Sequence, residues 1–494
     1  LKGDFALASL GNAFDVDKSK NFSDWYTEIT KQAQLCDLRY NVKGFIVFMP
    51  WSVSSMKKMY SLFERELEAT GHKPALFPAL IPEENFLKEK EHVEGFAPDV
   101  FWVTEAGGGK LEQKLAMRPT SETAMYKMYS LWIQGLSDLP LKIYQSCQVW
   151  RHETKATRPF IRSREFHWIE AHDAFATRGE AEQQVRNDTH TTEKVMHQTL
   201  GVPFIYFQRP EWDKFPGAVH TYGADSLMPD GRTIQQPSTH LLGQNFAKPF
   251  NVSFTNEKGE KDYCWQTCYG PAISRIYASV ISIHGDNKGL ILPFEIAPVQ
   301  VVVIPIQKKG VEAKIVEKAR EIAEKLREHG FAAEADETDA TPGFKYNYWE
   351  LKGVPLRVEV GARELESKEF VVARRDTGEK TKVAEKDLPK KVSELGKALS
   401  ENLRTRADEW FSKQVHSANS MNELGEQLDK GGFVKVSLCS VEMAGKNCAD
   451  EIKAKTTGDV RGTRFDPEEK PPAGAKCVAC GKAAKELVYV ARQY

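Results

Sequence analysis

The stretch of this chain richest in reactive side chains is residues 151–172, RHETKATRPFIRSREFHWIEAH. Arg151, Lys155, Arg158, Arg162 and Arg164 fall within it, interrupted by Glu153 and closed by Phe166. Guanidinium groups gathered in this way offset the charge of phosphate oxygens, and a neighbouring aromatic ring can stack on a flat base. A solvated hairpin loop could carry the same cations. The strand that follows argues for a pocket, because alternation places Phe166, Trp168, Glu170 and His172 on one face, an odd set for a core. A carboxyl group and an imidazole beside two aromatic rings suit a small cavity that holds a cation and stacks a ring.

Other groups add chemistry. Arg118-Pro119-Thr120-Ser121-Glu122 opens a helix, where Thr120 or Ser121 can cap and Glu122 can occupy the first turn. Near the end, Cys477 and Cys480 are two residues apart with Gly481 behind them, a spacing that lets two thiolates share one tetrahedral ion. With Cys439 and Cys448 upstream they make either a four-thiolate zinc site or a set of free thiols.

The elements that must position these residues follow from periodicity. Residues 52–70 read as a helix with Met56, Tyr60, Phe63 and Leu67 on one side and Gly71 as the stop, followed by an extended run from Lys73 to Pro78. Residues 121–133 read as a second helix; 142–151 and 164–175 read as strands joined by the basic loop. Strands and helices in no regular βαβ order imply an α+β sheet, mostly antiparallel. From Val299 the texture changes to VQVVVIPI, a charged amphipathic helix ending at Gly330, and the strands VPLRVEVG and KEFVVARR, which implies a compact α/β domain. A Lys/Glu-rich helical stretch, 386–430, leads into the cysteine-bearing tail.

A length of 494 residues predicts about three domains at roughly 100–200 residues each. The hydrophobic share of 41% with 28% charged residues excludes a disordered chain. No apolar run approaches the roughly 20 residues of a membrane span, and Leu1-Lys2-Gly3-Asp4 lacks a signal-peptide core. With 68 Lys plus Arg against 69 Asp plus Glu, any phosphate-binding surface must be a local patch. Eight cysteines in so long a chain are no disulfide framework, so a reducing, cytoplasmic setting is expected.

Arg151-His152-Glu153, the basic loop and Arg164-Glu165-Phe166 together resemble motif 2 of the class II aminoacyl-tRNA synthetases, and the whole chain resembles the prolyl-tRNA synthetases. The resemblance implies an α+β catalytic domain over 1–298, an α/β anticodon-binding domain over 299–405 and a small α/β zinc-binding-like domain over 406–494. It implies that Arg151 holds the ATP α-phosphate and the amino-acid carboxylate, that Glu153 meets the adenine amino group, that Phe166 stacks on adenine and that Arg162 grips the phosphates. Residues 118–122 resemble the proline-binding loop, with Thr120 and Glu122 facing the ammonium of proline; Trp168, Glu170 and His172 match the wall of that pocket. Between Gly231 and Phe246 a third match would give Gln235 to the adenylate and His240 to the substrate, although Pro237 stands where the family has glycine. Gly270 to Arg275 resembles motif 3, with Arg275 on the γ-phosphate and one residue more than the usual turn at Cys268-Tyr269-Gly270. The segments His284-Gly285-Asp286 and Gly289 to Pro293 strengthen that match.

Residues 44–82 resemble the motif 1 dimerisation element, though an ordinary core helix and strand would read the same. Lys352 to Gly361 resemble the anticodon-binding domain, and an edge strand with a surface Arg would explain them as well. The final Ala491-Arg492-Gln493-Tyr494 resembles the family's terminal tyrosine, whose carboxylate docks near the site. The space from 176 to 263 is too short for the bacterial editing insertion, which points to the archaeal and eukaryotic type.

The activity implied is ATP- and Mg²⁺-dependent activation of proline and its transfer to proline tRNA by a homodimer, with zinc possible in the tail. Without an editing insertion, cysteine or alanine should be activated at some rate. The rival readings are a non-catalytic RNA-binding subunit and a synthetase for another amino acid of the subclass, such as threonine.

Overall fold

Leu141–Trp150 and Glu165–Phe175 form the antiparallel hairpin expected from their alternation, in register from Leu141 opposite Ala174 to Trp150 opposite Glu165. The computed structural model describes residues 14–88, 100–306 and 311–494, so the stretch at Leu1 lies outside the described residues. The hairpin belongs to an eleven-stranded sheet. Its spatial order is Val415–Ser417, Phe433–Leu438, Glu486–Ala491, Asp459–Arg464, Ile205–Gln208, His220–Leu227, Thr233–Gly243, Trp265–Gly270, Glu165–Phe175, Leu141–Trp150 and Lys73–Pro74. Only the two outermost pairs run parallel; the rest of the sheet is antiparallel.

The helix Pro50–Ala69 begins with proline at its first turn and ends before Gly71, whose φ of +91° only glycine adopts cheaply. Its Met56, Met59, Phe63 and Leu67 are buried in one core with Ile276, Tyr277 and Val280 of the helix Ile273–His284. Each such side chain contributes about 1.5–3 kcal/mol by leaving water. Ile273–His284 is apolar around most of its circumference, and Arg275 in its first turn is a partly exposed exception.

Pro237 sits inside a central strand without breaking it. Gly223 pairs with Ser238 and Asp225 with Gln235, so Gln236 and Pro237 bulge opposite Ala224. On the other side the ladder to Trp265–Gly270 starts only at Ser238. A residue without an N–H is tolerated there because no ladder bond is asked of it.

The second unit is a five-stranded mixed sheet in the order Ala333–Ala335, Val301–Pro305, Leu356–Val360, Glu369–Arg374 and Lys380–Ala384. The amphipathic helix Glu312–Glu328 and the long helix Leu388–Ser412 share its core. The long helix runs through position 405, the expected domain limit. The helical stretch expected over 386–430 is interrupted: after Ser412 the chain forms the strand Val415–Ser417 and then the helix Met421–Asp429. Parallel pairing of Val415 with Phe433 overrides the helix-favouring composition.

The tail strands do not form a sheet of their own. They extend the central one through Thr463 opposite Gln208 and Arg464 opposite Phe207. Buried Asp225 fastens the join, accepting from Arg209 Nη2 at 2.6 Å and Arg461 Nε at 2.7 Å. Gly231 lies so near Gly431 that a Cβ would come within 2.5 Å of the latter's Cα. Any side chain would force that turn off the tail. Among the described residues, no helix is long and apolar enough to cross a membrane.

Candidate active site

The loop between the two hairpin strands is closed at its base by the Arg151 N–H donating to the Arg164 carbonyl at 2.9 Å, and is anchored inward by buried Phe160 and Ile161. With the loop anchored there, Arg151 and Arg162 face one cleft, while Arg158 turns to the Ser23 carbonyl and the Tyr26 ring. Arg151, Glu153, Arg162, Phe166 and Arg275 all line that cleft, so five of the six expected ATP-side residues converge. The Arg151 guanidinium lies 5.4 Å from the Phe166 ring and 5.3 Å from the Trp168 ring, and its Nε donates to the Pro119 carbonyl at 3.1 Å. Arg162 bridges Glu153 at 3.4 Å and donates from Nη2 to the main-chain oxygen of Tyr494 at 2.5 Å.

Arg275 donates to the carbonyls of Ile161, at 3.3 Å, and Gln235, at 3.1 Å. Burial, reinforced by Arg151 and Arg162, lowers its pKa to about 10. Three guanidinium groups gathered on one cleft give it a positive potential suited to an anion. The sixth expected residue, Gln235, contributes its main-chain carbonyl to Arg275 rather than a place in the lining of the cleft.

The residues expected to meet proline sit beside this cleft on a buried patch. Along one row of the sheet, His172 pairs with Cys268 and Cys268 with His240. Glu122 opens the helix Glu122–Trp132 and is buried. The sequence allowed Thr120 or Ser121 to cap that helix, and neither does. The Thr120 hydroxyl donates to Glu122 Oε2, and Ser121 Oγ accepts from Gln145 Nε2 at 2.8 Å. A neighbour two residues on has taken the Thr120 hydroxyl, and a partner on the adjoining strand has taken that of Ser121. Gln145 also donates to Glu170 Oε2 at 3.0 Å, while Glu170 Oε1 and Trp168 Nε1 are buried without a hydrogen-bond partner.

His172 Nδ1 lies 3.1 Å from the Tyr126 hydroxyl. His240 is held by Thr221 at 2.9 Å and Ser238 at 3.1 Å, with the Phe215 ring centroid 4.6 Å away. Burial depresses the His240 pKa to about 3, so the ring is neutral at physiological pH and can accept as well as donate. Sequence reasoning missed Gln145, Tyr126 and Cys268. Gln145 was within reach, since it lies opposite Glu170 in the hairpin register.

Tyr494 seals one edge. Its hydroxyl donates to Asp230 at 2.6 Å, and its ring lies 4.0 Å from the Arg232 guanidinium and 5.9 Å from that of Arg158. In the tail, ligand atoms of Cys439, Cys448, Cys477 and Cys480 all fall within 4.8 Å of one another, with Cys439 and Cys448 sulfurs 3.6 Å apart. Tetrahedral thiolates at the Zn–S distance of about 2.3 Å stand about 3.8 Å apart, so the cluster is consistent with zinc. Gly481, at φ +70°, makes the turn that brings Cys480 back toward Cys477.

Three family models match the chain: "tRNA synthetase class II core domain (G, H, P, S and T)" over 101–284, "Anticodon binding domain" over 300–395 and "Prolyl-tRNA synthetase, C-terminal" over 421–494. The proline–tRNA ligase of Thermofilum pendens is 52% identical over 97% of this chain and 98% of its own. That of Methanopyrus kandleri is 46% identical over 96% of each. The structure of Giardia lamblia prolyl-tRNA synthetase in complex with prolyl-adenylate superposes with a TM-score of 0.93 at 36% identity, covering 98% of this chain and all of that one. With a class II core, an anticodon-binding domain and this C-terminal domain in one chain, the protein belongs to the prolyl-tRNA synthetases of the archaeal and eukaryotic type and is a proline–tRNA ligase.

Proposed function

We propose that the two adjoining sites divide the first half-reaction between them. ATP lies in the cationic cleft with adenine against Phe166, its amino group toward Glu153, and its phosphates among Arg151, Arg162, Arg275 and Mg²⁺. Gln235 meets the adenylate. The proline ammonium sits at Thr120 and Glu122, walled by Trp168, Glu170, His172 and His240. Attack of the proline carboxylate on the α-phosphate brings two anions together. Arg151, standing between the two sites, offsets that repulsion and the charge that grows at phosphorus. No side chain forms a covalent bond; positioning and charge stabilisation supply the rate. The adenylate then esterifies the terminal adenosine of proline tRNA.

The observation that carries this reading is the convergence of three guanidinium groups on a cleft beside two buried carboxyl groups, Glu122 and Glu170. The prolyl-adenylate held by the Giardia lamblia enzyme supports it. Arg151→Ala is expected to abolish proline-dependent ATP–pyrophosphate exchange with an unchanged unfolding transition, and near-normal exchange would refute the assignment.

Selectivity without an editing domain rests on the pocket. A methylene is worth about 1–3 kcal/mol there, so cysteine and alanine are activated at a measurable rate. Exchange with each of the twenty amino acids tests this, and proline-only exchange at saturating competitor counts against it. The four tail thiols hold structural Zn²⁺. Leu38, Tyr40, Val42, Val47, Leu76 and Leu80 are exposed large apolar residues within or beside the motif 1 element, which supports a homodimer interface there. Eight cysteines without a disulfide support a cytoplasmic setting.

A further inference from the structure

Strand register brings His172 and Cys268 face to face, and Glu122 reaches both from the first turn of its helix. One ligand atom from each of the three lies within 4.8 Å of the other two, and none of the side chains is more than 5% exposed. A proline ammonium explains a carboxylate there. It does not explain a thiol, because an ammonium asks for strong acceptors and a thiol is a weak one.

Carboxylate, imidazole and thiolate together are the donor set of a soft divalent ion, and three protein donors leave one coordination position open. A second observation points the same way. Glu170 projects from the same face of the strand as His172, and its buried Oε1 has no hydrogen-bond partner, a state that a cation would relieve.

We propose that this corner of the proline pocket binds a soft divalent cation, Zn²⁺ or Cd²⁺, through Glu122, His172 and Cys268, in competition with proline. The supporting contacts are already present: the Thr120 hydroxyl holds Glu122 Oε2, and Tyr126 holds one nitrogen of His172. Burial and the adjacent Glu122 keep the thiol protonated in the absence of metal. On binding, the Cys268 S–H bond breaks, a metal–sulfur bond forms and the proton leaves to solvent, so uptake is accompanied by proton release and weakens in acid.

The competitive part rests on the proline-pocket assignment made above; the metal site itself does not. The test is metal uptake by the full-length protein, with Zn²⁺ measured by equilibrium dialysis and Cd²⁺ by its thiolate charge-transfer absorption. The wild-type chain is expected to take up one equivalent more than Cys268→Ser, and saturating proline is expected to displace that equivalent alone. Glu122→Gln, which keeps the volume and the bond from Thr120, should lose the same equivalent and serves if Cys268→Ser does not fold. Equal uptake by wild type and variants, or an extra equivalent that saturating proline leaves in place, overturns the inference. An unchanged KM for proline in the exchange reaction of Glu122→Gln, with Mg²⁺ supplied, would instead overturn the pocket assignment.

Discussion

Deleting Tyr494 is the perturbation whose effect the structure defines most closely. The residue donates nothing to the cleft directly, yet its main-chain oxygen receives the Arg162 Nη2 hydrogen bond, its ring packs on Arg232 and its hydroxyl is held by Asp230. Its backbone is paired too, donating to the Thr233 carbonyl at 3.1 Å. A charge-assisted hydrogen bond is worth about 1.5–3 kcal/mol when shielded, and partial exposure of Arg162 pulls this toward the lower end. If about 1.4 kcal/mol of that anchoring fixes Arg162 for phosphate, its loss costs about tenfold in kcat/KM for ATP. The strand Glu486–Ala491 keeps its own partners, so the fold should persist. Steady-state ATP–pyrophosphate exchange at varied ATP reads the effect directly. Tyr494→Phe is the control: it retains the main-chain oxygen and the ring, loses only the bond to Asp230, and should stay within about twofold of wild type. A deletion variant with unchanged ATP dependence, or a Phe variant as damaged as the deletion, would refute the coupling.

Two further outcomes can be measured. Asp188 is buried, and burial together with nearby Asp173 raises its pKa from 3.8 to about 7; the folded state therefore binds a proton that the unfolded state releases, and stability falls as pH rises across that interval. Asp188→Asn should flatten the fall and raise the urea midpoint at pH 8 relative to wild type, and parallel pH profiles for the two would refute it. Cys477→Ser should lower the zinc content of the purified protein and its unfolding temperature together, because the four thiols tie the chain after Phe433–Leu438 to the helix Lys446–Thr456 and to the turn before Glu486–Ala491; an unaltered metal content would remove the cluster from consideration.

Much of the site was legible because its key hairpin is local. Alternation alone put Phe166, Trp168, Glu170 and His172 on one face, and the strands fall within a residue of their expected ends. The arginines of the loop stood out by residue type, but a solvated hairpin loop would carry the same cations, and the roles expected of Arg151, Arg162 and Arg275 came from the resemblance to the family's motifs. What escaped was long-range. Cys268 is an unremarkable member of a short apolar strand until pairing sets it opposite His172, ninety-six positions away in sequence. The capping reading of Ser121 failed for the same reason, since Gln145 on the adjoining strand donates to its hydroxyl, whereas Thr120 is taken locally by Glu122. The broken helix after Ser412 likewise reflects pairing with a strand beginning at Phe433.

The two faces of the sheet explain why the pocket can be acid-lined and still hold its shape. His172, Cys268 and His240 form a row on the pocket side; their sequence neighbours Asp173, Thr267 and Thr239 point to the opposite side. There His72 pairs with Asp173 at 3.2 Å, Thr267 donates to Asp173 at 3.1 Å, and Thr239 donates to Asp188 of the helix Arg178–Thr192 at 2.6 Å. Each strand that presents a substrate-facing side chain is therefore fastened from behind, one residue along, by a bond to an element outside the pocket or to the strand beside it. Carboxyl groups in a cavity repel one another and would tend to spread an unbraced sheet. Bracing from the rear lets the front remain underbonded, with Glu170 Oε1 and Trp168 Nε1 left without partners, and in the function proposed above the open carboxyl oxygen is the acceptor toward which the proline ammonium is drawn.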